Sequence, residues 1–125
     1  MNAVVLRTAK ILMIEKLWFW HDLLKKGLQD LSIKADVLDA FSFAGAEKFL
    51  ADNSDIDVIV VTDCLSGNEP DTIRFVKQLR KSFRGIIIGF SSNCNYADDL
   101  REAGCNCCTT KAKVAQNVSK FIVKK

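Results

Sequence analysis

Three residues of different chemical type each follow an apolar run in this chain. Asp63 closes DVIVVTD, Ser91 closes GIIIGFSS and Lys111 follows AGCNCCTT. Brought together, they would supply a nucleophilic carboxylate, a hydroxyl donor and a positive charge. Parallel sheets collect function at the carboxyl ends of their strands, where strand order reverses. The pattern therefore suggests one convergent site, provided that the three runs are strands of one sheet.

The elements that must position these groups support that condition. Residues 11–15 begin with a continuously apolar run, as a strand buried on both faces does. Residues 33–40 alternate with period two, and 56–62 are apolar and rich in β-branched residues. Residues 86–90 and 106–109 complete a set of five strands. Helical spacing falls between them. Trp18, Phe19, Leu23, Leu24, Leu28 and Leu31 define a broad face of the first helix. Ser42 is placed to cap the second, which turns Phe43, Ala46, Phe49 and Leu50 inward. Pro70 fits the first position of a third helix, with Asp71 in its first turn and Ile73, Val76, Leu79 and Phe83 leading to Gly85. A short helix over 97–103 stops at Gly104, and Val114, Val118, Phe121 and Ile122 mark the last. Five strands alternating with five helices over short connections predict a doubly wound α/β sheet with right-handed crossovers. No linker, repeat or low-complexity segment interrupts them, so residues 1–125 read as one domain.

Composition narrows the function classes. A chain of 125 residues can build its own core without metal or disulfide staples. The net charge of +3 is mild and its basic residues are spread, apart from Lys124-Lys125, which argues against nucleic-acid binding. No apolar run approaches a membrane span, and MNAVVLRTAK lacks the features of a signal peptide. The five cysteines, Cys64, Cys94, Cys105, Cys107 and Cys108, fit reduced thiols in a cytoplasmic protein. A zinc or redox site built from Cys94, Cys105, Cys107 and Cys108 is the other reading. It is opposed by strand geometry, since Cys107 and Cys108 must point to opposite faces. His21 has no partner motif and reads as a surface or partly buried side chain.

Over nearly its whole length the chain resembles the receiver domain of two-component response regulators. AGCNCCTTKA (103–112) is similar to that family's Ala-Gly, two-acid, aromatic, Leu-Thr-Lys-Pro segment, with Lys111 as its active-site lysine. VIVVTD matches the strand whose terminal Asp accepts phosphate, and GFSS the strand whose terminal Ser or Thr contacts it. LSG (65–67) resembles the Met-Pro-Gly loop without its proline, and ILMIEK (11–16) takes the place of the first strand and its acidic pair. The resemblance implies a flavodoxin-like (βα)5 fold with strand order 2-1-3-4-5. It also implies Asp63 as phospho-acceptor, Ser91 and Lys111 as phosphate contacts, and magnesium held by Glu15 and Asp63. Counting from Asp57 would put Thr62 at the acceptor position, whereas counting back from the third helix gives Asp63 with a one-residue insertion. Only a carboxylate does this chemistry, which favours Asp63.

The chain departs from the family pattern at further places. Glu15-Lys16 stands where the family has two acids, Ala112 replaces the proline after the lysine, and Cys108 replaces the switch aromatic. Magnesium prefers about six oxygen ligands and usually takes one or two carboxylates. Lys16 opposes it. Two unit charges about 4 Å apart repel by roughly 4 kcal/mol at an effective dielectric near 20, and a divalent ion doubles this.

The expected function is that of a receiver-like signalling domain, not an enzyme, with impaired magnesium-dependent phosphorylation. With no output domain after the last helix, it would act through a protein partner, a histidine kinase or a downstream signalling protein, or as a homodimer. In the family, the surface of the fourth helix, fifth strand and fifth helix commonly makes such contacts. Here it maps to residues 97–124, with Lys111, Lys113 and Lys120. Trp18, Phe19 and Trp20 read either as core plus an exposed indole or as a partner surface. Val4, Val5 and Leu6 would extend the first strand or cover a dimer contact. One alternative is a working phospho-acceptor, phosphorylated on Asp63 by a histidine kinase. Another is a small flavodoxin-like enzyme or cofactor-binding protein, disfavoured because CLSGNE has no phosphate-cradling glycine pattern.

Overall fold

The apolar run Val58–Thr62 forms the middle strand of a five-stranded parallel sheet, and every residue of it is buried. A computed structural model describes residues 8–63, 65, 71–91 and 96–122. The strands are β1 (Ala9–Ile14), β2 (Ala35–Ala40), β3 (Val58–Thr62), β4 (Ile86–Ser91) and β5 (Cys107–Thr110), in the order 2-1-3-4-5. Between and after them run α1 (Trp18–Asp30), α2 (Phe43–Asp52), α3 (Thr72–Leu79), α4 (Ala97–Ala103) and α5 (Val114–Ile122). A short 3-10 turn, Lys111–Lys113, leads into α5. The architecture is the flavodoxin-like doubly wound (βα)5 sheet expected from the sequence.

Alternation along the strands splits the core in two, because successive side chains leave opposite faces of a sheet. Leu12, Ile14, Ile59, Val61 and Ile87 pack with Ala46, Val76, Leu79 and Leu100, which come from α2, α3 and α4. Ile11, Met13, Val58, Val60, Ile88 and Phe90 pack with Leu24, Leu28, Val114 and Val118 from α1 and α5. Helices α1 and α5 approach closely: a Cβ added at Gly27 would stand 2.5 Å from Ala115 Cβ. Ser42 caps α2 as expected, its hydroxyl accepting from the Gly45 amide at 3.0 Å.

The face of α1 differs from the one that its spacing predicts. Leu24 and Leu28 are buried together with His21, whereas Trp18 (66% exposed), Phe19 (54%) and Leu31 (44%) face outward. Only Glu15, Lys16 and Leu17 separate β1 from α1. The first turn of the helix therefore stands beyond the strand ends, where no sheet covers it. The third helix also ends earlier than the apolar spacing suggests, at Leu79 and not near Gly85.

An arginine closes the opposite end of the sheet. Arg80 donates to the carbonyls of Gly104, Phe83 and Gly85 at 2.8, 3.0 and 2.7 Å and to Asn106 Oδ1 at 2.6 Å. Gly104, expected as a helix stop, has φ +136° and lies against the Arg80 side chain. Expectations for Val4, Val5, Leu6, Cys64, Ser66, Gly67, Pro70, Ser92, Cys94, Lys124 and Lys125 fall outside the described residues. No helix among the described residues is long and apolar enough to cross a membrane.

Candidate functional site

The strand ends gather the residues singled out above at one edge. Glu15 directly follows β1, Asp63 follows β3, Ser91 is the last residue of β4 and Lys111 follows β5. Strand pairing sets their order. Asp63 continues the β3–β4 ladder by donating its amide to the Phe90 carbonyl at 3.1 Å, and Ser91 pairs with Thr110 beside Lys111. Thr62 is buried within β3, and its carbonyl accepts from the Thr72 hydroxyl at 2.5 Å. Asp63 is therefore the first residue after the strand end.

Glu15 is held on several sides. Its amide donates to the Ala40 carbonyl at 3.0 Å, which carries the β1–β2 ladder one residue past the strand. Its Oε2 accepts from the Leu17 amide at 3.0 Å, an acid serving the start of α1 where no side-chain cap is present. Its carbonyl lies 2.8 Å from His21 Nε2, and a carbonyl can only accept, so this ring nitrogen carries the hydrogen. The second ring nitrogen, Nδ1, lies 2.8 Å from Asp39 Oδ1, and Lys25 Nζ lies 2.7 Å from Asp39 Oδ2. His21 is 1% exposed, which corrects the expectation of a surface or partly buried side chain. A polar partner at each ring nitrogen makes burial of the imidazole tolerable.

The remaining oxygen, Glu15 Oε1, is buried and accepts no hydrogen bond from the described residues. It faces a charge instead. Lys111 Nζ lies 3.4 Å away, with side-chain exposures of 15% for the lysine and 4% for the glutamate. The ammonium also sits 4.8 Å from the Trp20 ring centre and 5.4 Å from that of Phe90. Lys16, expected beside the acids, is exposed, and the amine in that place belongs to Lys111. Glu15 turns inward beneath the first turn of α1, and the residue after it finds no cover.

Asp63 titrates above the ordinary aspartate value. Burial is the main cause; the Lys111 charge and the Asp63 amide oppose it, and the Glu15 charge adds to it. The Lys111 ammonium thus acts on both acids, on Glu15 across 3.4 Å and on Asp63 through its charge.

Magnesium is the ion that the resemblance to receiver domains implies. The orphaned Glu15 oxygen and the Asp63 carboxylate could offer two ligands, but the ammonium stands against the first. Among the described residues no three acidic, histidine or cysteine side chains converge on one point. An ion on Glu15 Oε1 with Lys111 about 4 Å away would meet a repulsion of about 8 kcal/mol at an effective dielectric near 20, an upper limit because a lysine can swing out. With Lys111 in this position the residues present do not fit magnesium.

The described cysteines lie elsewhere. Cys105 and Cys108 join the α2–α4 side of the core and Cys107 the α1–α5 side, as strand alternation requires. Burial pushes the Cys105 thiol up to about 12, with the Cys108 charge adding to the rise. Sequence reasoning missed the His21–Asp39 contact and the aromatic seat of Lys111. Each joins residues far apart in the chain, and a lone histidine or tryptophan carries no pairing signal.

No family model matches the sequence, and no curated protein matches it. Solved structures do. The signal receiver domain of a DNA-binding response regulator from Colwellia psychrerythraea superposes with a TM-score of 0.74 at 16% identity, over 91% of this chain and 98% of that one. The CheX–CheY complex with BeF3 and magnesium from Borrelia burgdorferi gives 0.72 at 15%, over 93% and 90%. The Saccharomyces cerevisiae complex of the phosphotransfer protein Ypd1 with the receiver domain of Ssk1 gives 0.69 at 18%, over 95% and 92%. The fold is that of response regulator receiver domains.

Proposed function

We propose that this chain is a receiver-like signalling domain that works by protein–protein contact and whose magnesium-dependent phosphorylation on Asp63 is weakened. The reading rests on Lys16 standing where the family has its second acid, and on the Lys111–Glu15 ion pair at 3.4 Å, which sets a cation against one of the two remaining carboxylates. Two further points support it. Leu17, Trp18 and Phe19 expose apolar surface at the same edge of the sheet as the pocket, in the manner of binding hot spots. Two of the structural neighbours were solved in complexes with other proteins.

The second reading, a working phospho-acceptor, is favoured by the gathering of Asp63, Ser91 and Lys111 at one edge. Incubation with a small phosphodonor and magnesium separates the two. The proposed reading expects no stoichiometric phosphate increment in the intact mass. Full labelling that disappears in Asp63→Asn would establish the second reading in its place.

A further inference from the structure

We propose that the outer edge of β2 pairs antiparallel with β2 of a second copy of this chain, joining two five-stranded sheets edge to edge. This goes beyond the function proposed above and stands on different residues.

The order 2-1-3-4-5 leaves β2 and β5 at the edges of the sheet. The β5 edge is only four residues long, whereas β2 has six and contains no proline. Backbone groups alternate sides along a strand. The carbonyls of Lys34 and Ala40 turn toward β1, where they accept from the Ala9 and Glu15 amides at 3.2 and 3.0 Å. The N–H and C=O groups of Ala35, Val37 and Asp39 therefore turn outward, and among the described residues no strand meets them. On the α1 side this edge borders a groove of about 550 Å³, lined by Leu28, Ile33, Ala35 and Val37 among others.

The side chains select the occupant. In a two-fold antiparallel pair, each residue stands opposite one whose side chain leaves the same face of the sheet. Centred on Ala35, the pairing sets Lys34 opposite the partner's Asp36 at two symmetric places, and Ile33 opposite the partner's Val37 at two more. The central alanines exchange two N–H···O bonds. Centred on Asp36 or Asp39, it would oppose like charges. Centred on Val37, Leu38 or Ala40, it would give Lys34 and Asp36 no opposite charge. Lys34 and Asp36 are both exposed and share the face away from the groove. Ile33, Ala35 and Val37 share the other face, so the partner's Ile33 and Val37 extend the apolar lining. Charges on an edge ordinarily discourage strand addition; here their order turns away other strands and accepts this one.

A contact of this size supports a weak dimer, with a Kd on the order of 0.1 mM. The full chain is followed by sedimentation equilibrium over a concentration series reaching about five times that value. The parent is expected to dimerise reversibly. Lys34→Asp sets like charges opposite each other at both places, and association should weaken at least about tenfold. The same change lowers the net charge of +3 by two, which on its own favours association, so weakening reports the register. Adding Asp36→Lys restores opposite charges, and the double variant should dimerise like the parent. A parent that stays monomeric overturns the proposal and leaves the edge to Val4, Val5 and Leu6 or to another protein. So does a dimer indifferent to Lys34→Asp, or one that the double variant fails to restore.

Discussion

Asp39 Oδ1 lies 2.8 Å from His21 Nδ1, and this contact fastens the end of β2 to the buried face of α1. Because the other ring nitrogen holds the Glu15 carbonyl, one side chain spans two strand ends. His21→Leu fills the space but leaves a buried carbonyl and a carboxylate without that partner. A loss of about 3 kcal/mol in urea unfolding is expected, from about 1–3 kcal/mol for each abandoned group. Lys25→Ala removes only an ion pair whose lysine is 42% exposed, and should cost less than about 1 kcal/mol. Equal costs for the two variants would show that the imidazole is not the clamp.

Asp63 carries a pH signature whose sign is fixed. Burial raises its folded value, chiefly against the pull of Lys111. Below the ordinary value of 3.8 both folded and unfolded chains hold the proton, and no difference arises. As pH rises through that value the unfolded chain releases it first, so the folded state loses stability until its own, higher value is passed. Asp63→Asn removes this loss. The difference in melting temperature between variant and parent should be smallest in acid, grow in favour of asparagine just above pH 3.8, and then level off. A difference that shrinks with rising pH would reverse the assignment.

Cys105 should be the slowest of the described thiols to react. Burial holds its thiol near 12, so almost no thiolate exists at neutral pH, and burial raises Cys107 as well. Alkylation of the folded chain, mapped by peptide mass, is expected to leave Cys105 unmodified until denaturant is added. Modification of Cys105 at the rate of the unfolded chain would contradict the packing described for it.

How much of this was legible without coordinates varies with the range of the interaction. The run at Val58–Thr62 and the helix Ala97–Ala103 could be read directly, because apolar continuity and a stop glycine are local signals. Asp63, Ser91 and Lys111 could be placed at strand ends for the same reason. Lys16 could not be placed, since adjacency in sequence does not say which of two neighbours turns inward. Helical period sets Trp18 and Phe19 on the broad face of the first helix and leaves a partner surface open, because it takes no account of where the sheet stops. The Arg80 clasp on Gly104 and Asn106 lay beyond reach, because a guanidinium announces nothing about carbonyls more than twenty positions away.

The meeting of Gly27 with Ala115 bears on how this sequence can drift. The two helices share a single methyl's worth of volume, already taken by the alanine, so the two positions are one site written twice. Growth at one must be matched by shrinkage at the other, or the first helix must lift from the last and carry its tryptophans with it.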